Sequence, residues 1–199
     1  MTLPWLRLQH WGSNMIFEET KLKGAFIIRL EERGDDRGFF ARTFCQNEFR
    51  EHGLNPFVAQ TNMSFNYKQG TLRGMHYQLP PAAEAKFMRC IRGAIFDVIV
   101  DLRPDSDTYL QHVGVELSAD NRVGLYVPEL FAHGYQALTD GAEVMYQVSE
   151  FYAPGQERGL RYDDPALGIN WPQEVTVISD KDASWERLDA DTLAQTINH

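Results

Sequence analysis

From residue 16 onward, apolar positions fall in short runs separated by turn-forming clusters. Residues 25–30 are apolar except for Arg29, and a charged turn with two glycines follows over 31–38. Phe39, Phe40, Thr43 and Phe44 are β-prone. The stretch 46–52 reads as one or two helical turns, stopped by Gly53 and Pro56. Gly70 and Gly74 bracket the start of a compact strand. Runs at 87–91 and 94–102 flank Arg92-Gly93, which predicts a hairpin turn; the nearly continuous apolar character of 95–101 predicts a central strand. Further strands are expected at 112–117, 122–127, 134–138 and 142–150, with turns such as Thr139-Asp140-Gly141 between them. Short strands recurring about every ten residues are the pattern of a sandwich or a barrel. After Pro172 the pattern changes, and 183–197 predicts a short helix held by Leu188, Leu193 and Ile197.

No internal repeat or flexible linker interrupts this pattern, and 199 residues fit one domain. Residues 1–14 lack a clear period and carry Trp5 and Trp11, so they are set apart as an N-terminal extension or arm, with 15–199 as the domain. A net charge of −9 argues against a protein that grips phosphate backbones, and no nucleic-acid partner is expected. No run approaches the length of a membrane span, and the N-terminus does not resemble a signal peptide. Cys45 and Cys90 form no C-x-x-C pair and read as reduced core thiols, which points to the cytoplasm.

The candidate chemistry begins with the six histidines. His76 lies in Leu72-Arg73-Gly74-Met75-His76-Tyr77-Gln78. An extended strand there turns His76 and Gln78 to one face and Arg73 to the other, unless a bulge changes the parity. The plain alternative is a hydrogen-bonded core histidine. Lys86 opens an apolar strand, where it points into a cleft or simply ends the strand in solvent. His133, in an apolar turn, needs partners for its ring nitrogens, and structural duty explains it as well as catalysis does. Tyr146 reads equally as a core phenol. A metal site would need His76, His112 and His133 to converge, because no two histidines form a close H-x-H pair.

Several segments, in order and at near-unbroken spacing, resemble one family: Asp35-Asp36-Arg37-Gly38-Phe39-Phe40, Leu72 through Gln78, Lys86-Phe87-Met88-Arg89-Cys90, Phe131-Ala132-His133-Gly134, Phe151-Tyr152-Ala153-Pro154, Tyr162-Asp163-Asp164-Pro165 and Ile169-Asn170-Trp171-Pro172. Over most of 16–182 the chain resembles the dTDP-4-dehydrorhamnose 3,5-epimerases. That resemblance implies an all-β, cupin-type jelly-roll β-barrel with a few short peripheral helices, working as a homodimer without a cofactor or metal. It implies a nucleotide-diphosphate keto sugar as substrate, inverted at C3 and C5. Carried over by position, His76 is the general base and Asp182 its carboxylate partner, with Asp180 the nearby alternative. Tyr146 is the proton donor on the other face, and Lys86 stabilises the enolate oxygen. Arg37, Phe40, Gln60, Asn62, Arg73, His133 and Tyr152 are the substrate-binding set.

Three positions depart from the family pattern. Arg42 stands where many relatives carry Glu, Leu130 replaces a Gly in P-E-G-F-A-H-G, and 60–64 lacks a frequent acidic residue and histidine. These leave open an epimerase acting at only one carbon or on a CDP- or GDP-sugar. A sugar-nucleotide ketoisomerase and a barrel that binds nucleotide sugar without turnover are further alternatives.

Overall fold

The computed structural model describes residues 14–197; the proposed arm, apart from Asn14, lies outside them. In chain order the elements are β1 (Met15–Glu19), β2 (Phe26–Leu30), β3 (Arg33–Asp35), β4 (Gly38–Phe40), α1 (Gln46–Glu51), β5 (Gln60–Asn66), β6 (Leu72–Gln78), β7 (Lys86–Arg92) and β8 (Ala94–Asp101). They continue with β9 (His112–Ser118), β10 (Gly124–Val127), β11 (Phe131–Ala137), β12 (Ala142–Val148), β13 (Glu157–Gly159), α2 (Asp180–Ala183) and α3 (Ala190–Ile197). One antiparallel sheet runs β1-β2-β10-β7-β12-β5, a second runs β13-β6-β11-β8-β9, and β3 pairs with β4 as a separate hairpin. No helix among the described residues is long and apolar enough to cross a membrane.

The expected barrel does not form. The first sheet ends at β1 and β5 and the second at β13 and β9, and no ladder joins these ends. The two sheets instead stack over a shared apolar layer. Met88, Cys90, Leu125 and Val144 enter it from the first sheet, and Ile95, Ile99, Leu117 and Phe131 from the second. Alternating strands bury one face in either architecture, so the hydrophobic pattern does not distinguish them.

The expected hairpin at Arg92-Gly93 is also corrected. β7 pairs with β10 and β12, whereas β8 pairs with β11 and β9. Gly93, at φ +70°, is therefore the corner where the chain passes from one sheet to the other. Cys90 and Ile95 on either side of it share the central layer, which is what the crossing accomplishes.

The outer faces carry their own cores. On the second sheet, Met75, Tyr77, Val98 and Val100 pack with Leu160, Leu167, Leu193 and Ile197 from the C-terminal segment. The predicted tail helix is α3, shorter than expected. On the first sheet, α1 inserts Phe49 among Ile28, Phe87 and Tyr126. Each fully buried side chain of this size contributes about 1.5–3 kcal/mol.

One irregularity decides which side chains reach the interior. His133 opposes His76 and Tyr135 opposes Arg73, so three residue steps on β6 match two on β11. The extra residue restores parity, and Arg73 and His76 both turn inward, with His133 and Tyr135. Two glycines permit it. A Cβ at Gly74 would lie 2.5 Å from the Gly134 Cα and 2.8 Å from the His133 oxygen, and Gly74 has φ +120°. Overpacking and backbone strain add here. We therefore expect Gly74→Ala to lower the unfolding free energy by roughly 3 kcal/mol. Urea titration of the purified variant measures this, and a loss below about 1 kcal/mol would contradict the tight contact.

Candidate active site

The space between the sheets is divided. Toward β9 and β10 it is apolar and closed. Toward β5, β6 and β13 it opens as a cleft of about 230 Å³. Strand alternation sends Gln60 and Asn62 of β5, Lys86 of β7 and Tyr146 of β12 into this cleft from the first sheet, and His76 and Gln78 of β6 from the second.

His76 is held by the C-terminal segment. Its Nε2 lies 2.6 Å from Asp182 Oδ1, and the second carboxylate oxygen accepts the Gly74 N–H at 3.2 Å. Asp182 sits in the single turn of α2, where Ser179 caps the helix by accepting the Asp182 N–H. This turn places Asp182 inward, its side chain 6% exposed, and leaves Asp180 in solvent. Asp182 rather than Asp180 therefore meets the histidine. Burial raises the Asp182 pKa. The hydrogen bond and charge of His76, with the Gly74 N–H and the Ser179 hydroxyl, outweigh it and hold the group below the usual aspartate range.

Across the cleft, the Lys86 ammonium is 3.1 Å from Glu84 Oε1, and both side chains are nearly buried. The Tyr146 phenol has its pKa raised by burial first and by the Glu84 charge second, against an opposing pull from Arg73. Arg73 stands beside the cleft and is braced there, its Nε donating to Asn66 Oδ1 at 2.9 Å. At the mouth, the half-exposed Tyr152 donates to Glu157 Oε2 at 2.7 Å, and Lys181 joins the same carboxylate. The sequence reasoning passed over Glu84 and Glu157, which both line the cleft. Glu84 carried a signal, since residues two apart on extended backbone share a face with Lys86.

Three expected site residues lie elsewhere. His133 is buried behind the cleft, its Nε2 2.5 Å from the fully buried Asp97. Arg37 and Phe40 are on the β3–β4 hairpin and do not line the cleft; Arg37, 90% exposed at its side chain, is paired with Asp35. His112 lies on β9, the far edge of the second sheet, and among the described residues no three histidine, cysteine or acidic side chains gather as a metal site.

Two departures from the family pattern resolve locally. Arg42 pairs with Glu48 on α1 at 2.8 Å. Leu130 adopts φ +60°, the conformation a glycine takes easily, at a cost of about 1–2 kcal/mol. Its side chain packs on the outer core of the second sheet, away from the cleft.

The lowered pKa of Asp182 makes its pairing with His76 a source of pH-dependent stability. Its contribution is present above the unfolded-state value, about 4, and is lost as pH falls through the lower native value. Asp182→Asn is expected to cost roughly 1–3 kcal/mol near pH 7, with the gap to the wild type closing toward pH 2. Chemical unfolding across pH measures this, and a gap independent of pH would contradict it.

Comparison with known proteins fits this geometry. The family model described as dTDP-4-dehydrorhamnose 3,5-epimerase matches residues 19–190. The dTDP-4-dehydrorhamnose 3,5-epimerase of Methanothermobacter thermautotrophicus is 45% identical over 175 residues, covering 86% of this chain and 94% of that protein. The crystal structure of the Bacillus anthracis enzyme of that name, with TDP and PPi bound, superposes with a TM-score of 0.85 at 39% identity, covering 88% of this chain and all of that one. A Legionella pneumophila 3,5-epimerase in complex with dTDP-4-keto-L-rhamnose gives 0.82 at 36% identity, covering 89% and 96%. Matched by the family model over residues 19–190 and by relatives at 39–45% identity over 86–88% of its length, the chain belongs to the dTDP-4-dehydrorhamnose 3,5-epimerase family.

Proposed function

We propose that this protein converts dTDP-4-dehydro-6-deoxy-D-glucose to dTDP-4-dehydro-L-rhamnose, with His76 and Tyr146 moving protons on opposite faces of the sugar. One observation carries the assignment of roles: the His76–Asp182 pair on the second sheet faces Lys86 and Tyr146 of the first across a single cleft.

Ionised Asp182 can only accept, so the proton of a neutral His76 resides on Nε2 and the Nδ1 lone pair is the base. A hydrogen on a carbon next to the 4-ketone is acidic because the charge left behind spreads onto oxygen. His76 takes that proton, and the C–H electron pair enters the enolate. The Lys86 ammonium meets the charge as it develops on the C4 oxygen. Tyr146, kept as a phenol by its raised pKa, supplies a proton from the other side. A new C–H bond of opposite configuration forms, with no net oxidation. Positioned proton transfer of this kind contributes roughly 10²–10⁴-fold.

Arg73 at the cleft suits the diphosphate. Gln60, Asn62 and Tyr152 line the sugar and nucleotide path, and His133 supports the wall through Asp97. Arg37 and Phe40 reach a nucleotide in a homodimer, where the hairpin of one copy extends to the cleft of the other. An apolar surface supports that assembly: Met63, Phe65 and Ile91 are exposed on the outer face of the first sheet, where Ile91 lines a hollow with the hairpin residue Phe39. We read residues 15–199 as one domain and place it in the cytoplasm, in keeping with the unpaired thiols Cys45 and Cys90.

Proton NMR of the keto sugar with the protein in D₂O tests the reaction. Deuterium is expected at both C3 and C5, with the rhamno product appearing. His76→Ala should abolish exchange in a folded protein, and normal turnover would remove His76 as the base. Tyr146→Phe should slow inversion by roughly 10²-fold or more while KM changes little. Unchanged rates at both carbons would exclude its donor role.

A further inference from the structure

Glu84 stands outside the proton-transfer set, yet it lies in the middle of it. Its side chain is 12% exposed, and its carboxylate is 3.1 Å from a Lys86 ammonium that is 10% exposed. It lines the same cleft wall as Tyr146, whose ionisation it opposes. A lysine head on a four-carbon stem has many rotamers and is costly to bury charged and unpaired. Resting on the epimerase reading above, we propose that Glu84 is a positioning residue that fixes the Lys86 ammonium where the enolate oxygen forms.

Two effects of such a carboxylate compete. It weakens the bare field that the ammonium projects into the cleft. It also holds the ammonium in one place. The ammonium acts only where its head is held against the forming oxyanion, so placement dominates. The charged neighbours do not substitute for Glu84. From β6 come Arg73, a cation, and His76, already joined to Asp182. Glu157, beyond the mouth, is engaged by Tyr152 and Lys181. Tyr146 on β12 has no charge while it remains a phenol.

The sign of the pH effect follows. A negative charge disfavours ionisation of Tyr146. Loss of Glu84 lets the Tyr146 phenol release its proton at lower pH, and Tyr146 must be protonated to act.

The test compares wild type, Glu84→Gln and Glu84→Asp for kcat, KM, dTDP affinity and the alkaline limb of kcat, with near-UV circular dichroism as the check on folding. Glu84→Gln is expected to lower kcat roughly tenfold while KM and dTDP affinity stay within about twofold. Its alkaline limb should move to lower pH, and Glu84→Asp should return the limb toward the wild-type position. A folded Gln variant with unchanged kcat and limb overturns the proposal. So does a raised kcat, which would mean the bare field matters more, or a raised KM at intact kcat, which would make Glu84 a substrate contact. Should the Gln variant not fold, the Asp variant decides: a folded Asp protein that loses both kcat and the limb overturns the proposal, and retention of both supports it. A wild-type protein that exchanges neither C3 nor C5 refutes the epimerase reading itself, before any variant is compared.

Discussion

The contact between Gly74 and Gly134 sets the geometry of the site. Backbone meets backbone there at a distance that excludes any side chain, and the extra residue of β6 is accommodated at that point. Without it, strand alternation would put His76 and Arg73 on opposite sides of the second sheet. With it, one short strand delivers both an imidazole and a guanidinium toward the same cleft. The Gly74 N–H also reaches the Asp182 carboxylate, so the irregularity helps to seat the histidine's partner as well.

The interior between the sheets serves two purposes because the polar groups at its open end are largely paired with one another, the buried Oδ2 of Asp97 being an exception. His76 is joined to Asp182, His133 to Asp97, Lys86 to Glu84, and Tyr135 to Ser64. Buried polar groups without such partners would each cost about 1–3 kcal/mol and would favour filling the cleft with apolar side chains. The apolar end, anchored by residues such as Ile95, Ile99 and Leu125, supplies the rigidity that holds two facing walls at a fixed separation. His76, Lys86 and Tyr146 sit on strands of these walls rather than on loops, which limits their freedom to drift.

Much of this was legible in the chain. Turn residues and apolar runs located most strands, and the ordered motifs around His76, Lys86 and His133 identified the family. What escaped depends on information that local pattern does not carry. Whether Arg73 joins His76 rests on one extra residue in a ladder, and whether Asp180 or Asp182 meets the histidine rests on a cap at Ser179. The Arg92-Gly93 hairpin failed because a glycine at positive φ can close a hairpin or turn a chain between sheets, and the barrel because alternating strands look alike whether or not the sheet closes; only long-range pairing distinguishes the outcomes. Glu84 was overlooked because a carboxylate near a strand start reads as solvated, and its burial follows from Tyr146 and the facing sheet.

The partner of His76 lies 106 residues further along the chain, in a turn docked beside the start of β6 by the bridge from Thr71 to Val177. During synthesis on the ribosome, every strand of both sheets emerges before Asp182 does. A nascent chain can thus pair its strands while the imidazole still lacks its carboxylate and the second sheet still lacks Leu193 and Ile197 on its outer face. With His76 as the base, competence for proton abstraction is among the last properties this polypeptide acquires.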